Sequence, residues 1–229
     1  GTIVGHGRGA LFDPTRCTPM HESHERAGAV FEDVGQWKRP WYYPRAGEDM
    51  AAAVNRECVT VRKSVGMFDA STLGKIEVVG PDAAAFLHLI YTNPFMKLGV
   101  GRLRYGIMCR EDGFIYDDGV VGRIAEDRFH VTTTTGGAPR VLNHMEDYLQ
   151  TEFPDLKVWL TSTSEQWAVI ALQGPKAAEV LAPFVGGLDL SKEALPFMSV
   201  AEGTFAGVPM RLFRMSFAGE DGFEINVPG

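Results

Sequence analysis

The spacing of apolar positions alternates between helical and extended periods along most of the chain. Within 48–65, Met50, Val54, Cys58, Val61 and Val65 recur at intervals of 4, 4, 3 and 4, which predicts a one-sided helix stopped by Gly66. Residues 75–79 read as a strand, and 83–91 as a helix opened by Gly80-Pro81-Asp82. The runs 104–110 and 114–121 predict a hairpin turning at Glu111-Asp112-Gly113. A strand over 129–135 precedes a helix over 139–150, with Val141, Leu142, Met145, Tyr148 and Leu149 on one face. Next come a strand over 169–172 and a helix over 176–181, then strands over 208–217 and 223–227 around the turn Ala218-Gly219-Glu220-Asp221-Gly222. Residues 1–46 lack any such period. They mix Gly5, Gly7, Gly9, Pro14, Pro19, Pro40 and Pro44 with Phe12, Phe31, Trp37, Trp41, Tyr42 and Tyr43. Because a free tail would be poor in aromatics, this pattern predicts an extended arm packed on a body formed by 47–229.

One internal echo bears on the architecture. Gly80-Pro81-Asp82-Ala83-Ala84 and Gly174-Pro175-Lys176-Ala177-Ala178 lie 94 residues apart, each between a strand-like run and an apolar helix. Glycine permits the sharp turn, and proline suits a first helical turn, where its missing N–H leaves no gap. Two related strand-to-helix units in an α+β fold would give this echo, and so would a helix start that is merely common.

Charge and composition then remove several function classes. The 22 basic and 29 acidic residues give a net charge of −7, which argues against a nucleic-acid binder. No apolar run approaches the roughly 18–20 residues of a membrane span, and no basic-then-apolar leader is visible. The Gly1 start and an end at Val227-Pro228-Gly229 suggest a piece of something longer. Cys17, Cys58 and Cys109, 41 and 51 residues apart, form neither a disulfide framework nor a zinc knuckle and fit a reducing cytoplasm.

Most motif-like features fail on spacing. His21 and His24 are one residue too close for a zinc-protease helix, so no metal site is expected. Gly5-His6-Gly7-Arg8-Gly9 has no strand before it or helix after it, against a phosphate loop. Residues 111–118 lack the alternating oxygen ligands of a calcium loop. No Gly-x-Ser-x-Gly elbow occurs. Asp117-Asp118 is more informative. Strand alternation sends the two carboxylates to opposite, largely apolar faces, so one of them should be desolvated and its pKa raised, unless both pair or cap loops. Thr132-Thr133-Thr134-Thr135 before Gly136-Gly137 puts hydroxyls on both faces of a strand end, suited either to a planar polar ligand or to solvent. Glu224 and Asn226 stand opposite the apolar face of Phe223, Ile225 and Val227, and gain meaning only if their face closes over a pocket.

Thr18-Pro19-Met20-His21, Gly35-Gln36-Trp37-Lys38-Arg39-Pro40, Gly66-Met67-Phe68-Asp69 with Gly74-Lys75-Ile76, Asp117-Asp118-Gly119, Ala171-Leu172-Gln173-Gly174-Pro175 and Gly219-Glu220-Asp221-Gly222-Phe223-Glu224 follow one another in a familiar order. Together they resemble the glycine-cleavage T-protein (aminomethyltransferase) family of folate-binding proteins. Gly5-His6-Gly7-Arg8-Gly9-Ala10-Leu11-Phe12, with Gln36-Trp37-Lys38-Arg39-Pro40-Trp41-Tyr42 and Thr133-Thr134-Thr135-Gly136-Gly137, is more similar to the C-terminal region of heterotetrameric sarcosine oxidase α subunits. The resemblance implies a T-protein-like α+β fold of antiparallel sheets and packed helices, lacking the family's C-terminal barrel domain. It implies Asp118 as the catalytic aspartate and Glu224 as the carboxylate on the pterin ring. Phe217 stands where the family has a tyrosine, Thr134 where it has a folate-contacting asparagine, and His130 where it has another tyrosine. A family arginine falls beyond Gly229. The implied chemistry is capture, by tetrahydrofolate, of the methylene group from oxidised sarcosine, giving 5,10-methylenetetrahydrofolate and glycine. Asp118, ionised yet partly desolvated, would serve as base. FAD or FMN and NAD are expected elsewhere in the full complex, with other sarcosine oxidase subunits as partners. A scaffold for subunit assembly and a stand-alone aminomethyltransferase remain as alternatives, the latter disfavoured by the arm. The iron–sulfur-repair branch is disfavoured by the missing Lys-Gly-Cys-type motif.

Overall fold

The two Gly-Pro junctions share one geometry. Gly80 and Gly174 have φ of +138° and +133°, and a side chain at either would run into backbone, that of Lys157 and of Ser64 respectively. Each turns a strand into a helix that covers its own sheet. The computed structural model describes residues 16–229, so the glycine-rich stretch 5–12 lies outside the described residues.

In chain order the elements are β1 (Arg16–Cys17), α1 (His21–Arg26), β2 (Val30–Val34), β3 (Trp37–Tyr42), α2 (Met50–Lys63), β4 (Gly66–Asp69), β5 (Gly74–Val79), α3 (Ala83–Ile90), β6 (Leu103–Cys109), β7 (Ile115–Ala125), β8 (Arg128–Thr133), α4 (Ala138–Thr151), β9 (Trp159–Ser162), β10 (Trp167–Gln173), α5 (Ala177–Leu181), β11 (Val185–Gly186), β12 (Ser199–Phe205), β13 (Val208–Arg214) and β14 (Gly222–Pro228). They build an antiparallel five-stranded sheet, β6-β7-β8-β5-β9, and an antiparallel six-stranded sheet, β11-β12-β13-β14-β10-β4. A small third sheet, β1-β3-β2, carries the arm. No described helix is long and apolar enough to cross a membrane.

Alternation along each strand divides the molecule into layers. Ile76, Val78, Val121, Phe129 and Val131 bury one face of the five-stranded sheet under α3 and α4, through Phe86, Leu87, Val141 and Met145. Leu172, Leu212, Phe223 and Ile225 bury one face of the six-stranded sheet under α5, through Ala177 and Leu181. The remaining faces look at each other. Leu103 and Val120 meet Val200, Phe213 and Met215 there, but much of this middle layer is polar.

Two regions differ from the periodicity reading. The described part of the arm is not simply extended: it holds α1 and the β1-β3-β2 sheet. Tertiary hydrogen bonds pin it down. His24 Nε2 lies 2.9 Å from Asp69 Oδ2, and the Tyr43 hydroxyl lies 2.7 Å from His24 Nδ1. His24 is thus used within the protein core. In α2 the apolar stripe is not a core face, because Ala53 is its one buried residue and Met50 and Cys58 are exposed.

Candidate functional site

β14 pairs with β13 and β10 so that Glu224 and Asn226 point into the middle layer while Phe223 and Ile225 enter the apolar core. The second face of this strand therefore does close over an interior. Glu224 is 6% exposed, and no described side chain or backbone donor lies within hydrogen-bond reach of its carboxyl. Burial pushes its pKa up to about 7, with the Lys75 ammonium the one opposing charge. A carboxyl this buried costs stability unless a donor arrives.

Glu224 opens onto a cleft of about 510 Å³. Phe68, Phe217 and Trp41 form aromatic walls, and Thr134, Thr135 and Thr72 add hydroxyls. Phe68 and Phe217 have ring centroids 6.0 Å apart, and Phe217 is 83% exposed, so its ring has apolar surface to offer a flat ligand. The arm hairpin β2–β3 supplies Trp41, Arg39 and Glu32 at this same cleft. Phe68 of β4 and the loops that carry Thr72, Thr134 and Phe217 meet here only because the sheets stack.

Of the residues implied by the resemblance, Glu224, Phe217 and Thr134 line one cleft. Asp118 and His130 are placed differently. The register sets Asp118 opposite Ile107 and Val120 opposite Tyr105, so Asp118 shares the middle-layer face of its sheet. That face leads to the Phe217 segment, since the Tyr105 hydroxyl donates to the Ser216 carbonyl at 2.9 Å. Asp118 is nevertheless exposed and does not touch the cleft wall. The expected desolvation falls on its neighbour. Asp117 is buried, accepts from Thr134 Oγ1 at 2.6 Å and Thr134 N at 3.1 Å, and has its pKa raised by burial against those bonds. Thr134 thus spends its hydroxyl proton on Asp117.

His130 is fully buried and is not among the residues that line the cleft. Its Nδ1 lies 3.2 Å from Arg211 Nη1, and its ring packs edge-on against Phe213 and Trp167. Burial and the Arg211 charge pull its pKa down to about 3, so it stays neutral. Arg211 bonds Glu77 through Nη1 and Nη2, both at 3.1 Å, and Arg128 also binds Glu77. Burial pushes the Glu77 pKa up, but the two arginines outweigh it and hold it below the ordinary value.

Sequence reasoning missed Lys75 as a site residue. It is fully buried, and its Nζ donates to the carbonyls of Ser71 (2.7 Å), Leu73 (2.9 Å) and Ser164 (3.2 Å). Burial pulls its pKa down to about 8, against Asp69 and Glu224. Lys75 and Glu77 alternate with Ile76 and Val78, a pattern that reads as a wet strand face. Only the second sheet makes that face an interior.

The GCVT N-terminal domain model matches residues 20–229 of the chain. The α subunit of sarcosine oxidase from Corynebacterium sp. (strain P-1) is 56% identical over 227 residues, a match that covers 99% of this chain and 24% of that protein. The chain thus spans about a quarter of the length of that relative. The crystal structure of the glycine cleavage system aminomethyltransferase T from Bartonella henselae superposes with a TM-score of 0.78 at 32% identity, over 93% of this chain and 54% of that one. A chain of the heterotetrameric sarcosine oxidase from Corynebacterium sp. U-96 shares the fold at a TM-score of 0.54 and 18% identity, over 80% of this chain and 88% of that one. These matches agree with the mixed α and β architecture and its antiparallel sheets.

Proposed function

The chain belongs to the GCVT N-terminal domain family, and from that premise we propose that it is the tetrahydrofolate-binding part of a sarcosine oxidase α subunit. In this reading it captures the methylene group of oxidised sarcosine. The observation that carries the reading is Glu224, a buried carboxyl with no donor among the described residues, opening onto an aromatic-walled cleft. These residues fit a reduced folate: its amino-pyrimidine edge presents paired donors, and its ring is flat. When bound, tetrahydrofolate supplies the amine nitrogens that take up the methylene, giving 5,10-methylenetetrahydrofolate and glycine.

The chain's own residues then have distinct tasks. The Glu224 carboxylate accepts the donors of the ring edge, and Lys75 favours its ionised form. Phe68, Phe217 and Trp41 cover the ring faces and exclude water. Asp118, exposed on the middle-layer face of its sheet, takes up the proton released at the reacting nitrogen. Oxidation of the amine, with its flavin and NAD, belongs to other parts of the complex. In the intact assembly, Asp118→Ala should leave sarcosine oxidation unchanged and divert its product to free formaldehyde. An unaltered yield of 5,10-methylenetetrahydrofolate would remove Asp118 from the reaction.

A second reading, a scaffold for subunit assembly, draws on a different surface. Met50 and Val59 of α2 and Met67 of the edge strand β4 are exposed, and such surface suits a subunit contact. Titration calorimetry of the intact protein with 5-formyltetrahydrofolate separates the two, because a pure scaffold gives no binding heat.

A further inference from the structure

The cleft has two poles of opposite character. Glu224 is an acceptor pole on β14, with Asp69 nearby already held by His24. At the arm hairpin stands Arg39, the one basic residue among the described residues that line the cleft. Its side chain is 35% exposed, whereas Glu224 is buried, so this pole faces the solvent side. Arg39 is only partly engaged. Its Nε and Nη2, at 3.0 and 2.6 Å, both donate to a single oxygen, Oε1 of Glu32. Nη1 has no bond to any described residue. The Glu32 side chain also lines the cleft and is 28% exposed.

A folate carries donors at its ring and two carboxylates at its opposite end. With Glu32, Asp69 and Glu224 all in the wall, an acidic tail meets repulsion everywhere except at Arg39. We propose that Arg39 is a specificity residue that binds the carboxylates of the ligand's acidic tail, and that Glu32 is a built-in competitor for the same guanidinium. The free Nη1 donates to the tail while Nε and Nη2 stay on Glu32, or the tail displaces Glu32 and takes the fork in a two-bond contact. The competitor keeps Arg39 from holding unrelated anions tightly. The inference rests on the folate reading and adds to it the end of the ligand that the ring pocket does not see.

The test compares two probes by titration calorimetry on the intact protein: 5-formyltetrahydrofolate, and the same molecule with both glutamate carboxylates converted to amides. The wild type should prefer the diacid, more so at low salt. Arg39→Gln should weaken the diacid roughly 5- to 10-fold, as befits a half-exposed charged contact, and leave the bis-amide unchanged. Glu32→Gln should have the opposite sign, tightening the diacid about 3-fold by releasing the competitor. Equal weakening of both probes by Arg39→Gln, or weakening of the diacid by Glu32→Gln, would overturn the inference while leaving the ring site standing. Absence of binding of both probes to the wild type would overturn the folate reading itself.

Discussion

One layer between two sheets holds two buried glutamates, and they live in opposite circumstances. Glu77 meets two arginines, and His130 beside it stays neutral. Its pKa lies below the ordinary carboxylate value. Glu224 has Lys75 at a distance and no hydrogen-bond donor among the described residues, and its pKa rises to about 7. Both residues sit opposite apolar positions on inner strands, so burial alone does not distinguish them. The difference is the supply of partners. A carboxylate met by two arginines contributes to the native state and asks nothing of a ligand. An unsaturated carboxyl destabilises the native state until something donates to it, and it faces the cleft where that something can enter.

The contrast can be broken most forcefully at the saturated end. Arg211→Ala leaves Glu77 buried with Arg128 alone, and should cost about 3–5 kcal/mol of stability in urea unfolding. The folate affinity of the molecules that remain folded should hardly change. Glu224→Gln tests the other end and should do the reverse. It should weaken 5-formyltetrahydrofolate roughly 10- to 100-fold, the loss of a charged acceptor. The same variant should be about 1–3 kcal/mol more stable than wild type at pH 8, where the wild-type carboxylate is buried and ionised. The difference closes with acid. Because the folded pKa of about 7 lies above the ordinary 4.5, the folded wild type takes up a proton first as pH falls. It thereby gains stability through that window, and the advantage of the variant should vanish by pH 5. The gentlest test is titration of binding. Ligand affinity of the wild type should fall about tenfold per unit below pH 7, and that slope should be absent in Glu224→Gln.

Much of the frame was legible along the chain. The hairpin predicted around Glu111-Asp112-Gly113 is β6–β7, whose strands pair from Leu103↔Gly122 to Cys109↔Ile115. The helix predicted over 139–150 is α4, with Val141 and Met145 buried as the period requires. The two Gly-Pro units have matching backbone turns. Other elements escaped because their cause is not local. β12 mixes polar and small residues and becomes a strand by pairing residue for residue with β13. The arm sheet exists because Trp37 is buried and because Asp69 and Tyr43 share His24. The α2 stripe has the right period, yet only its neighbours could decide whether that face is covered.

The site shows the same division. Alternation alone separated Asp117 from Asp118 and put Glu224 opposite Phe223 and Ile225, since successive strand side chains must diverge. It could not say which of the paired aspartates would lose water, because that depends on Thr134 folding back over Asp117. Nor could it tell the fate of Glu77 from that of Glu224, or find Lys75 and Arg39. Covalent spacing fixes which face a residue takes, while solvation and ionisation depend on what the rest of the chain brings against that face.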